Sequence, residues 1–248
     1  MSIQHSYLSG ISRLATEKLS LKILDNVLHY TKLPMSVDLR PKMPFVYDQG
    51  NLGSCTANAL VANFQYDDPD FYGSRLFLYY NERFIENDVG EDGGAQLSDG
   101  IQSLQQFGLC LETSWPYNIS KFTEKPSDSC YSEALNHKAL IVENIHQDAN
   151  TMRNALAQGI PFVVGIQIFE EFESEQVAKT GIVPMPTQYS NCLGGHAVSI
   201  CGYTPLYWIC RNSWGPDWGD HGYFYLPHAY LLDSSLTSDL WSIKKVQE

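Results

Sequence analysis

Asp48-Gln49-Gly50-Asn51-Leu52-Gly53-Ser54-Cys55 runs through Thr56 into Ala57, Leu60, Val61 and Phe64. The four apolar residues recur at i, i+3, i+4 and i+7, the spacing of a helix with one apolar face turned inward. The stretch before them holds Gly50 and Gly53 and reads as a loop, with Ser54 placed to cap the helix. Cys55 therefore sits in a first helical turn. Free backbone N–H groups and the helix dipole favour an anion there, so a thiol at this place is expected to lose its proton more easily.

Working outward, further helices are expected near 75–86 (Leu76, Phe77, Tyr80, Phe84) and near 96–107 (Leu97, Ile101, Leu104), the latter stopping at Gly108. Pro34, Pro41 and Pro44 mark an extended stretch ahead of the loop. Residues 45–137 thus read as mostly helical. The period then changes. Phe162, Val164, Ile166 and Ile168 alternate as in a strand, and 196–200, 207–210 and 222–225 also read as strands. A short helix is expected over about 149–158, starting near Asp148. The fold class is α+β, a helical half followed by a β half with a cleft between them.

The chain has 248 residues, of which 44% are hydrophobic and 12% aromatic, enough for a real core. Its formal net charge of −12 disfavours nucleic acid and anionic membrane as partners, since both need basic patches. No apolar run approaches the roughly 18 residues of a membrane span. Arg13, Glu17, Lys18, Lys22 and Asp25 break any stretch that could act as a signal-peptide core. A cytoplasmic protein, or one exported without a signal peptide, is expected. Six cysteines without a CxxC pair fit a reducing compartment.

A thiolate nucleophile needs a base. His196 lies in Gly194-Gly195-His196-Ala197-Val198, where the glycines leave room for close approach to the backbone. Asn212 and His196 are equidistant from Thr204 at the expected turn, so a hairpin without a bulge would set them opposite each other. An amide beside an imidazole can accept its N–H and fix its tautomer, the third part in a nucleophile–base–orienter set. Trp214 could shield that bond from water. Gln49, six residues before Cys55, could aim its amide where a tetrahedral oxyanion forms, beside the Cys55 backbone N–H.

Taken together, Gln49-Gly50-x-x-Gly53-Ser54-Cys55, Gly195-His196-Ala197-Val198 and Asn212-Ser213-Trp214-Gly215 closely resemble the papain/cathepsin cysteine proteases. The resemblance covers about residues 35–228, with the three blocks in the right order. It implies a papain-like fold, with a helical left domain, an antiparallel β-barrel-like right domain, and the active-site cleft between. It also implies Cys55 as nucleophile, His196 as general base and then acid, Asn212 as orienter, Gln49 in the oxyanion hole, and no cofactor. Gly93-Gly94 is similar to the family's glycine pair that hydrogen-bonds extended substrate backbone, and Gly53, Ser54, Gly195 and Trp214 are the other expected substrate-binding residues. Two departures stand out. Leu52 and Thr56 replace the first cysteine and the aromatic residue of the family's usual Cys-Gly-Ser-Cys-Trp, and no cysteine precedes Gly93.

The expected layout is an extension over 1–34, a helical domain over 35–138 carrying the nucleophile, and a β-rich domain over 139–248 carrying His196 and Asn212. The expected activity is hydrolysis of peptide bonds in a peptide or protein substrate by a monomer, with residues 1–33 acting as a short self-inhibitory segment. The alternatives are an acyltransferase with the same nucleophile, or a catalytically silent binding module. No metal site is expected: Cys192, His196, Cys201 and Cys210 lie within nineteen residues, but alternation along the strands keeps them from converging.

Overall fold

The computed structural model describes residues 33–139 and 141–244. The amphipathic stretches expected between Leu8 and Leu28 lie outside them. Helices α1 (Cys55–Asp67), α2 (Arg75–Glu86), α3 (Leu97–Gln106) and α4 (Asp128–Ala134) fill the first half. Strands β2 (Ile141–Asn144), β3 (Phe162–Phe169), β4 (Cys192–Tyr203), β5 (Tyr207–Arg211), β6 (Tyr223–Pro227) and β7 (Thr237–Lys244) fill the second, with short helices α5 (Ala149–Ala157), α6 (Glu175–Thr180) and α7 (His228–Leu232). The fold is α+β, as expected. The proline-marked stretch is only partly extended. It contains strand β1 (Val37–Asp38) and then a 3-10 turn, Arg40–Lys42, that includes Pro41. Proline's fixed φ suits the start of such a turn, and Asp38 Oδ1 accepts the Arg40 N–H at 3.0 Å.

The strands form one antiparallel sheet in the order β2-β7-β3-β4-β5-β6, with β1 added against β4. Its central strand β4 sends side chains alternately to two cores. Ala197 and Cys201 face the helices, in a cluster with Leu60, Val61, Leu76 and Ile101. Val198 and Ile200 face the opposite side, against Met152 and Leu156 of α5 and Leu231 of α7. Full burial of each Leu, Ile or Val contributes about 1.5–3 kcal/mol, so the shared first core holds the two halves together.

Helix α1 departs from the expected one-sided pattern. Residues Cys55–Phe64 are all buried, because α2, α3, β4 and β7 surround the helix. Its polar side chains therefore need internal partners. Asn58 Nδ2 donates to Ser54 O at 2.8 Å and Thr56 Oγ1 to Glu82 Oε2 at 2.8 Å. Ser54 occupies the N-cap position but does not cap; its hydroxyl pairs with Tyr117 Oη and accepts from Asn58 Nδ2 instead. Asp148 does cap α5, accepting the N–H groups of Asn150 and Thr151.

The β4–β5 hairpin also differs from the simple expectation. It turns beyond Thr204, whose Oγ1 accepts the Leu206 and Tyr207 N–H groups, and it carries a bulge between Ile200 and Gly202. The last cross-strand pair is Ser199–Arg211. Asn212 is thus not the ladder partner of His196.

Candidate active site

Four short segments converge on the start of α1. Backbone hydrogen bonds stitch residues 47–49 to residues 213–215: Gln49 N to Ser213 O at 2.8 Å and Gly215 N to Tyr47 O at 3.0 Å. Gly50 then turns the chain with a φ of +61°, a conformation cheap for glycine, and Asp48 Oδ1 accepts its N–H at 2.8 Å. This carries the loop round to Cys55, the first residue of α1.

The Cys55 sulfur accepts the Ala197 N–H at 3.4 Å. The residue after His196 therefore touches the thiol, across the junction between the helical half and β4. His196 Nε2 lies 2.8 Å from Asn212 Oδ1, and Ser213 N donates to the same oxygen at 2.9 Å. A carbonyl oxygen can only accept, so Nε2 carries the proton and the neutral ring has its basic lone pair on Nδ1. Trp214 lies over the imidazole with ring centres 5.0 Å apart, and Phe172 meets it edge-on at 6.5 Å.

Gln49 is wholly buried. Its Oε1 accepts from Ser213 Oγ at 2.6 Å, which orients the amide, and Nε2 donates one hydrogen to Leu52 O at 2.9 Å. The Gly53 N–H donates to both Asp92 carboxylate oxygens, at 3.0 and 3.1 Å. Gly94 N lies against Gly53, only 3.4 Å from where a Gly53 side chain would begin. Gly93 is exposed at the surface. Gly195 pairs with Gln167 across β3–β4.

The electrostatics differ from the expectation for a helix start. Cys55 is 0% exposed, and burial pushes its thiol up to about 12. The N–H groups of Ala197, Thr56 and Cys55 itself pull the other way, but desolvation is larger. A thiolate here needs a companion positive charge, and an imidazole beside it is the group that can supply one.

Sequence patterns did not point to Ser213, Tyr117, Phe172 or Asp92 as contributors. Ser213 was in sight inside the Asn-Ser-Trp-Gly block. Tyr117 donates to Gln49 O at 3.0 Å from a distant loop, and no local pattern signals that contact.

Papain family cysteine protease is the family model that matches, over residues 33–235. The chain belongs to the papain family of cysteine proteases. Among papain-family relatives, an uncharacterized peptidase C1-like protein of Acanthamoeba polyphaga mimivirus is 39% identical over 249 residues, covering 94% of this chain and 79% of its own. Cathepsin B-like CP3 of Giardia intestinalis is 30% identical over 213 residues, covering 78% and 69%. Xylellain, a cysteine protease from Xylella fastidiosa, superimposes with a TM-score of 0.88 at 36% identity, over 99% of this chain and 97% of that one. The described residues share the papain-like fold. Among the described residues no helix is long and apolar enough to cross a membrane.

Proposed function

We propose that this papain-family chain hydrolyses peptide bonds through a covalent acyl-enzyme on Cys55. The observation that carries the reading is the meeting of sulfur and imidazole strand at the half-to-half junction: Ala197 N–H on Cys55 Sγ, with His196 held by Asn212. Because Nε2 is committed to Asn212, Nδ1 is the nitrogen that takes the thiol proton. The sulfur attacks the scissile carbonyl and a C–S bond forms. The negative oxygen that develops is stabilised by the Cys55 backbone N–H and the second hydrogen of Gln49 Nε2. The imidazolium then passes its proton to the leaving amine as the C–N bond breaks. Water, deprotonated by the same ring, attacks the thioester, releases the carboxylic acid and restores the thiol.

The extended substrate backbone runs along Gly93-Gly94, where main-chain hydrogen bonds hold it without regard to sequence. Gly53, Ser54 and Gly195 line its approach, and Trp214 keeps water off the His196–Asn212 bond. Residues 1–33 restrain the enzyme in this reading. Cys55 and His196 are both wholly buried, which supports a site whose access is restricted.

A peptide-library cleavage assay on wild type and Cys55→Ala side by side tests the mechanism. Cleavage by wild type alone supports it, and equal cleavage by both overturns it. Iodoacetamide should label Cys55 faster than the other five cysteines at mildly acidic pH; uniform slow labelling would favour a binding module. Folded protein lacking residues 1–33 should turn over faster, and unchanged turnover would refute the restraint.

A further inference from the structure

Asp92 joins two loops that lie far apart along the chain, 52–54 and 91–94. Its carboxylate accepts the Gly53 N–H through both oxygens, at 3.0 and 3.1 Å, and Oδ1 also accepts the Tyr79 hydroxyl. Gly53 is two residues ahead of Cys55, in the loop that leads into α1. Tyr79 belongs to α2 and is wholly buried, so it forms a fixed anchor. Asp92 also immediately precedes Gly93-Gly94, and Gly94 N packs against Gly53. All described cysteines are free, so no disulfide ties the 52–54 loop to the 91–94 loop among the described residues.

We propose that Asp92 is a positioning residue that sets the nucleophile loop and the Gly93-Gly94 segment in one fixed relation. This rests on the peptidase reading and goes beyond it. Asp92 touches neither the sulfur nor the imidazole. It acts through Gly53, whose placement decides where the Ser54–Cys55 peptide aims its N–H, the donor assigned to the oxyanion. It acts at the same time on the segment assigned to substrate backbone. A charged acceptor shared by a backbone donor and a buried phenol makes a stronger tie than a neutral acceptor would. The close fit leaves no slack: a Cβ on Gly53 would lie 3.0 Å from Asp92 Oδ1. The Gly53 N–H is thereby committed to the protein, so the contribution of Gly53 to substrate is to leave space.

The consequence is a signature that a residue needed only for folding would not give. In Asp92→Ala, kcat per titrated active site should fall about 10- to 100-fold, the scale of loss when a reacting group is slightly misplaced. That fall should appear on a short ester that does not reach Gly93-Gly94, and on a longer peptide amide. Only the longer substrate should also show a raised KM. Amide hydrogen exchange at Gly53 should accelerate. Asp92→Asn should recover only part of kcat, because its carbonyl oxygen can still accept from Gly53 and Tyr79 while its amide nitrogen, standing in for Oδ2, cannot accept the Gly53 N–H. A kcat per titrated site equal to wild type, with only a lowered melting temperature, would overturn the proposal. So would unchanged exchange at Gly53. Wild-type protein is the control that separates the two readings: if it cleaves no peptide the peptidase reading falls, and unchanged Gly53 exchange in Asp92→Ala still rejects the clamp.

Discussion

Asn212 Oδ1 sits 2.8 Å from His196 Nε2 although the β4–β5 ladder does not pair the two residues. After Arg211 the chain leaves the ladder, and Asn212 N donates instead to Gly222 O at 3.0 Å. The contact is made by a strand end held from the other side. Replacing Asn212 with Ala removes the acceptor that fixes the tautomer. Activity should drop about 10- to 100-fold in kcat/KM, as expected when a catalytic group loses its orientation. Steady-state kinetics across pH check this, and an unchanged kcat/KM would show that the ring is held by Trp214 and Phe172 alone.

Ser213→Ala tests the orientation of Gln49. The Ser213 hydroxyl is the partner of Gln49 Oε1 at 2.6 Å in a site sealed from water. Removing it leaves a buried acceptor unpaired, at a cost of about 1–3 kcal/mol. Part should appear as lower stability in chemical denaturation. The rest should appear as a several-fold lower kcat with little change in the pH profile, since the imidazole is untouched.

What the sequence made legible was local. Cys55 at a helix start, the stop of α3 before Gly108 and the Asp148 cap are each written within a few residues, because caps and periodicity are short-range physics. The same holds for the three separated blocks of the site, recognisable by motif. What was not legible is what packs around them. Helix α1 has one obvious apolar face, yet Cys55–Phe64 are all buried, and two of the polar residues that disguise this, Thr56 and Asn58, are matched by Glu82 and by Ser54. Strands β2 and β7 carry no clear strand signal, because Glu143, Ser238, Asp239 and Lys244 break their alternation. Their pairing partners supply the stability that local propensity lacks. The raised Cys55 thiol is the same lesson in electrostatics, since burial by distant chain outweighs a favourable local helix start.

Gly108→Ala should be among the costliest single changes outside the cleft. Gly108 ends α3 at a φ of +78°, and an added Cβ would fall 1.9 Å from Ala134 O. That is a backbone atom and cannot rotate away. Strain and displaced packing together should cost about 2–4 kcal/mol. The expected outcome is a lower melting temperature with kcat per titrated site unchanged; a wild-type melting temperature would mean that the α3–α4 junction can shift freely.

Glu82 gives the fold a pH dependence of definite sign. Its carboxyl is wholly buried between Thr56 and Gly100, and burial raises its pKa well above 4.5, outweighing the Thr56 hydrogen bond. The folded state then binds more protons than the unfolded state at every pH between those two values. Stability must therefore fall as pH climbs from about 4.5, the pKa of a solvated glutamate, through the folded-state value. Glu82→Gln keeps an oxygen for the Thr56 hydroxyl and removes the proton, so it should flatten that fall. The variant should be clearly more stable than wild type on the alkaline side and nearly equal near pH 4. Glu82→Leu should flatten it too, but at a lower level throughout, since it strands the Thr56 hydroxyl one residue from Cys55 at about 1–3 kcal/mol. Denaturant midpoints measured from acid to alkaline pH decide the matter. Parallel curves for wild type and Glu82→Gln would mean that this carboxyl does not titrate against a solvent-like reference.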